Sequence, residues 1–397
     1  MLIGIDASRA NVDKKTGTEW YAYYVIQEFK KIADPNDQFI LYSKEKLRGS
    51  LSELPANFNN KVLNWPPKFL WTQIRLAWEM LVHKTDALFV PAHTIPLIHP
   101  KNTVTTLHDI GFEEYHQLYS PKDIGPENTA IKKIIKILVI IFTFGKYSSN
   151  ELDYHRWSAR LALKHAKRII TVSIFSKEKI LEKFPINERK VSIIPNAYSP
   201  IYRVIHDQDK INAIKNEYNL TEPFFLYIGR QEEKKNVYKL IQAYLNFKKQ
   251  STNNFQLVLV GDKGYGYEKI AKLISSSSQK NNIKTLGWVD SKELPYLLNA
   301  AEIFIFPTLY EGFGIPILEA MACGTPVITS NYGAMKEISG QAAYLVNPNN
   351  LSEISSALNR LITDPNLKTN LITKGLQRVR DFSWSNTAKQ TLTLIKE

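Results

Sequence analysis

The chain has 397 residues, 44% of them hydrophobic and 22% charged, with seventeen Gly and nineteen Pro, a composition that excludes collagenous, fibrous and disordered chains. At about 150 residues per domain the length predicts two or three domains, each with its own core. The single cysteine, Cys323, excludes an internal disulfide and a Cys-based zinc cluster, and Lys plus Arg exceed Asp plus Glu by 13.

From the amino end, Met1-Leu-Ile-Gly-Ile-Asp6 meets a charge too early for a signal-peptide core. Buried strands are predicted at 2–5, 38–42, 87–90, 104–107 and 169–172, with helical patterns such as 20–32 and 71–82 between them. The longest uncharged apolar run, 137–145, is less than half a membrane span. It lies within the oddest stretch, 131–145, which mixes three Lys with aliphatic and aromatic residues. Residues 121–190 carry fifteen Lys and Arg against seven Asp and Glu, an excess suited to anionic lipid, phosphorylated substrates or nucleic acid. Residues 131–145 read either as a membrane-interface segment or as a packed insert. The expectation is a cytoplasmic protein, or one peripheral on the inner face of a membrane through 121–190.

Residues 196–220 read as a polar linker followed by a surface helix. A second series of strands follows at 224–228, 256–260, 283–286, 303–307 and 327–329, with helices at 239–249, 292–300, 316–322 and 351–362. The fold class is therefore α/β: two Rossmann-like, doubly wound domains, 1–195 and 221–378, facing across a cleft. A last helix, 379–397, is expected to pack back on the first domain. In such sheets ligands sit beyond the carboxyl ends of the strands, so residues just after each strand take priority.

The most informative stretch runs from Phe306 to Val327. Gly312 and Gly314 allow close approach of backbone to a ligand, and Pro316 and Gly324 suit the start and end of a short helix. The free N–H groups at the start of that helix form an anion site. Glu311 precedes it, and Glu319 is placed on its first turn. A capping box does not account for the pair, because position 315 is Ile and the third helical position is Leu318. After strand 224–228 come Gly229 and Arg230, then Lys235 and Asn236. The two cations there can neutralise a departing diphosphate, although charged loops are more often merely solvated.

The spacing Glu311-x7-Glu319 within Glu-Gly-Phe-Gly-Ile-Pro-Ile-Leu-Glu-Ala-Met-Ala-Cys-Gly-Thr-Pro-Val-Ile resembles the signature of retaining glycosyltransferases of family 4, nucleotide-sugar enzymes of the GT-B fold. The resemblance extends through Tyr-Ile-Gly-Arg230, Lys235-Asn236, Leu-Gly-Trp288-Val-Asp, Thr-Leu-His108-Asp109-Ile-Gly-Phe and Val-Ser-Ile-Ile-Pro-Asn196. It implies that Glu311 contacts hydroxyls of the transferred sugar, that Glu319 holds the ribose, and that Arg230 and Lys235 bind the diphosphate. Backbone around Gly312, Phe313, Gly314 and Ile315 would assist, as would Gly229 and Asn236. Gly17 resembles the loop glycine beside the donor phosphates, but the usual second glycine is replaced within Gly17-Thr-Glu19-Trp20, and Glu19 gains a role of its own. His108 would sit near the sugar, with His93 and Asp109 as weaker acceptor contacts.

The resemblance implies a metal-independent hexosyltransferase with no cofactor, acting in cell-surface polysaccharide or glycolipid biosynthesis. Its expected partners are a nucleotide sugar, mannosyl type favoured, and a glycan or lipid-linked glycan, with no nucleic acid. Asp207-Gln208-Asp209 matches a metal-binding Asp-x-Asp but lies in the polar linker, so it reads as a solvated turn. The alternative is a non-catalytic protein on the same fold whose basic surface holds RNA or an anionic surface. The absence of an aromatic-studded basic motif argues against it.

Overall fold

The computed structural model describes residues 1–65, 70–119, 147–251 and 254–397, with several positions between 132 and 140. The stretch 131–145 lies largely outside the described residues. Two compact units are formed, one from Met1–Asn196 with Trp384–Glu397 and the other from Ala197–Ser383.

In the first unit, β1 (Leu2–Asp6), β2 (Gln38–Ser43), β3 (Phe58–Val62), β4 (Ala87–Val90), β5 (Asn102–Thr106), β6 (Arg168–Thr171) and β7 (Val191–Ile193) form one sheet. Its order is β3-β2-β1-β4-β5-β6-β7, and every pair is parallel. In the second unit, β8 (Phe224–Ile228), β9 (Gln256–Val260), β10 (Ile283–Gly287), β11 (Ile303–Phe306), β12 (Val327–Ser330) and β13 (Tyr344–Val346) form the other. Its order is β10-β9-β8-β11-β12-β13, again all parallel. Both units are thus the doubly wound α/β sheets that the alternation of strands and helices predicts.

Central strands are continuous apolar runs because helices cover both faces of a parallel sheet. Phe-Phe-Leu-Tyr-Ile in β8 and Ile-Phe-Ile-Phe in β11 are buried throughout. The strands that the sequence reading omits, β3, β7 and β13, are all sheet edges. The partly exposed Asn-Asn-Lys of β3 and the three-residue lengths of β7 and β13 carry no such run.

In each sheet the direction of winding reverses between two adjacent strands, β1 and β4 in one and β8 and β11 in the other. The crevice beyond the carboxyl ends of such a pair is where these sheets hold ligands. Four loops are thereby singled out: those after Asp6, Val90, Ile228 and Phe306.

Several helices depart from the bounds of the sequence reading, two of them in the first unit's opening half. The pattern over 71–82 is a π-helical turn, Trp71–Leu76, continued by α-helix Ala77–Val82. The pattern over 20–32 begins earlier, as Gly17–Ile32. The chain's last helix, Trp384–Lys396, lies in the first unit. There Trp384 stacks on Tyr24 with ring centroids 5.2 Å apart, Asn102 donates to the Ile395 carbonyl (2.8 Å), and Lys396 pairs with Asp37.

Candidate active site

In the second unit the site is built from the loops after β8 and β11. The backbone N–H of Gln231 donates to the Asp262 carbonyl (2.9 Å), drawing the loop after β8 against the one after β9. That approach requires glycine at 261: its φ is +125°, and a Cβ there would lie 2.1 Å from the Gly229 carbonyl oxygen. The loop after β11 is sewn to the same place by Lys234, whose carbonyl accepts from the Leu309 N–H (3.0 Å) and the Thr308 hydroxyl (3.1 Å).

These contacts bring together Lys235 and Glu311, 76 residues apart, as an ion pair. Lys235 Nζ also lies 5.4 Å from the centre of the Phe306 ring. Burial by itself would raise the Glu311 carboxyl. The charges of Lys235 and Lys234, and hydrogen bonds from Lys235 and Thr308, outweigh it and hold the group below its ordinary value. A fixed carboxylate therefore faces a fixed ammonium at the end of β11. Arg230 is different: its side chain is 58% exposed and 3.8 Å from Glu232, so it stands at the rim.

Helix Ile315–Ala322 begins four residues after Glu311. Its N-cap is Gly314 at φ +94°, where a Cβ would meet Met335 Cε at 2.7 Å. Ile315 is the first helical residue, so Pro316 is the second, and Glu319 lies on the second turn rather than the first. The glycine cap moves the start back by one residue. The Ile315 N–H has no carbonyl one turn back and faces outward from the helix end. The Phe313 ring is buried edge-on against Phe382 (5.7 Å). The Asn236 amide donates to the Pro307 (3.0 Å) and Pro348 (2.7 Å) carbonyls, which uses both hydrogens to hold loops.

Burial pushes the Glu319 carboxyl up to about 8, against a hydrogen bond with Tyr202. It also lifts the Cys323 thiol, with the neighbouring Glu319 adding to the effect. At neutral pH Glu319 is therefore largely protonated without a ligand.

The first unit supplies its own cluster at the ends of β1, β4 and β5. Asp6 accepts from the Ser8 N–H (3.0 Å) and hydroxyl (2.6 Å) through Oδ1, and from Thr72 (2.9 Å) through Oδ2. This fixes the turn that carries Arg9. Gly17 is not a loop residue but the first residue of its helix, where a Cβ would touch nothing within 4 Å. Glu19 is occupied there. Its carboxylate accepts from the Thr16 N–H (3.1 Å) and hydroxyl, and lies 3.4 Å from Arg9.

His108 is packed edge-on against Tyr21 (4.8 Å) and hydrogen-bonded to the Pro91 backbone, which offers only a carbonyl. Nε2 is buried without a partner, so the bond to Pro91 is made by Nδ1–H and Nε2 keeps its lone pair. Burial first, with the Arg9 charge, lowers His108 to about 4 against the pull of Asp109 and Glu19. His108 is thus a neutral acceptor. Asp109 spends Oδ1 on the Gly111 N–H (2.8 Å) in a turn. His93 Nε2 lies 2.6 Å from His155 Nδ1. Burial, then the charges of His155, Arg9 and His108, holds His93 well below its ordinary value.

Arg9, His155, Thr308 and Tyr202 are the neighbours that sequence reading missed. Arg9 follows β1 by three residues, so its strand-end position was a usable signal. His155, within helix Glu151–His165, had none. The Asp-x-Asp at 207 caps a helix: Asp207 accepts from the Lys210 N–H (3.1 Å).

A family model described as glycosyl transferases group 1 matches residues 208–378. O-antigen chain mannosyltransferase B of Escherichia coli is 31% identical over 304 residues, covering 76% of this chain and 78% of that protein. The chain belongs to the glycosyl transferases group 1 family. O-antigen chain mannosyltransferase RfbU of Salmonella typhimurium is 25% identical over 362 residues, 87% of this chain and 88% of that one. Anabaena HepE, solved in complex with UDP-glucose, matches 99% of both chains at a TM-score of 0.70 and 16% identity, a likeness of fold. The two parallel sheets of this glycosyltransferase are those of the GT-B fold.

Proposed function

We propose that the protein is a retaining, metal-independent mannosyltransferase that transfers a hexose from a nucleotide-diphosphate sugar to a hydroxyl of a glycan or lipid-linked glycan in polysaccharide biosynthesis. The observation that carries this reading is the Lys235–Glu311 pair immediately ahead of the open amino end of helix Ile315–Ala322. Mannose is supported by the relatives from Escherichia coli and Salmonella typhimurium, both named as O-antigen chain mannosyltransferases.

Lys235 and the helix amino end meet the diphosphate, with Arg230 at the rim, while Glu311 accepts from hydroxyls of the sugar. Glu319 accepts from ribose hydroxyls. In the first unit, the buried His108 Nε2 is an acceptor for a hydroxyl. In the reaction the bond from the anomeric carbon to the phosphate oxygen breaks as the bond to the acceptor oxygen forms on the same face. The acceptor's proton passes to the leaving phosphate oxygen. Fixed cations and dipoles that stabilise the developing charge are the main catalytic contribution, and they require no metal.

The test is binding of a panel of GDP-mannose, UDP-glucose and UDP-N-acetylglucosamine in EDTA, for the wild type and Glu319→Ala. Micromolar binding of GDP-mannose, lost in the variant, is the expected result. Binding of no donor overturns the reading, and binding only when a divalent cation is restored removes its metal-independent part.

A further inference from the structure

The segment from Trp71 to Val82 is apolar on both sides. Its inward face buries Trp71, Leu76, Ala77 and Met80 in the core, together with two polar residues, Gln73 and Glu79. Gln73 donates to the Thr94 hydroxyl (2.5 Å) and the Tyr154 hydroxyl (2.8 Å), and Glu79 pairs with Lys61 (2.5 Å) and Arg75 (3.5 Å). Its outward face is apolar: Ile74, Trp78, Leu81 and Val82 are all exposed, Trp78 by 62% and Val82 by 54%. The exposed Leu97 and Ile98 extend the same face, because the Leu97 N–H donates to the Gln73 carbonyl (3.2 Å). Six large apolar side chains thus share one region of the first unit. Scattered exposed hydrophobes need no explanation, but a contiguous group of this size marks an interaction surface.

The charges around it indicate what it meets. Lys84 and Lys101, which follow Val82 and Ile98 closely in the chain, are exposed. The acidic groups nearby are already engaged, Glu79 inward with its cations and Asp86 with the Leu2 N–H (2.7 Å). We infer that this face seats the protein on an anionic lipid surface, with Trp78 at the level of the head groups and the aliphatic side chains below it. An exposed tryptophan among aliphatics, rimmed by lysine, has the composition of an interfacial anchor. The chain's net charge of +13 favours the same partner at longer range. A two-fold dimer through this face would instead set its cationic rim against its own copy.

The test is co-sedimentation of the full chain with vesicles of phosphatidylcholine containing about one third phosphatidylglycerol, against pure phosphatidylcholine. Wild type binds the anionic vesicles. Trp78→Ser with Leu81→Ser weakens partitioning about tenfold or more, and Leu97→Ser with Ile98→Ser weakens it independently. Circular dichroism melts unchanged from wild type show that these outward substitutions leave the fold intact. Lys84→Glu with Lys101→Glu reduces binding to anionic vesicles, more so at low salt. Absence of vesicle binding, or binding that both apolar variants retain, overturns the inference. A dimer in sedimentation velocity that Trp78→Ser dissociates, without vesicle binding, assigns the face to a second copy instead. No sugar enters the assay, so its outcome is separate from that of the transferase reading.

Discussion

Lys235, Glu319 and His108 are each constrained by a different physical cause, and each constraint has a measurable consequence. Lys235 is fixed between Glu311 and the Phe306 ring, so it is pre-organised for developing negative charge. Lys235→Met is expected to lower turnover by about 10²–10³-fold, the loss typical of one fixed electrostatic group, in a steady-state assay with GDP-mannose. Glu319 is raised to about 8 by burial, so the folded state binds its proton more tightly than the unfolded one. The stability this provides is present below the ordinary carboxylate range and is lost as pH rises towards 8. Glu319→Gln is therefore expected to melt above wild type at pH 9, with the gap closing towards pH 5; a pH-independent gap would contradict the assignment. His108 is displaced in the opposite sense for its type, down to about 4. Stability that depends on its neutral ring is present above the ordinary histidine value of 6.5 and is lost as pH falls towards 4. Replacing it with Phe, which does not titrate, should flatten that part of the thermal-melt profile.

At the scale of elements, the site depends on loops forced close together by residues with no side chain in the way. Gly261 is the sharpest case, since a Cβ would collide with the Gly229 carbonyl and the backbone lies in a region that L-residues rarely adopt. Gly261→Ala is expected to cost about 1–3 kcal/mol from strain alone, read by denaturant titration, and to displace the loop holding Arg230 and Lys235. The Glu311 and Glu319 spacing was legible in the sequence, yet the helix start was not. Gly314 takes the cap, so Glu319 falls on the second turn. Nor do the partners of Asn236 show in the sequence: its amide bridges carbonyls from loops 71 and 112 residues away.

At the scale of the whole chain, the carboxyl-terminal helix completes the first unit although 187 residues of the second separate it from Asn196. Trp384 is buried against Tyr21 and Tyr24, and Tyr21 in turn packs on His108. Trp384→Ala is expected to destabilise the first unit by about 3–5 kcal/mol, the usual cost of a large aromatic truncation in a core. Calorimetry should show the loss in the first unit's transition, with donor-stabilised melting of the second unit preserved. Equal destabilisation of both units would contradict that division.

By itself the sequence determined the fold class, the central strands and the chemistry of the carboxyl-terminal loop. Fully buried parallel strands demand unbroken apolar runs, and a glycine-rich turn into a short helix is a local pattern. Only the tertiary structure decided which charges are spent and which are open. The Lys235–Glu311 pair, the His93–His155 contact and the carbonyl-holding amide of Asn236 all join residues distant in the chain, and the Nε2 of His108 is buried without a partner. The edge strands and the outward apolar face around Trp78 follow the same logic. Burial on one side and exposure on the other are set by neighbours, and no local periodicity records them.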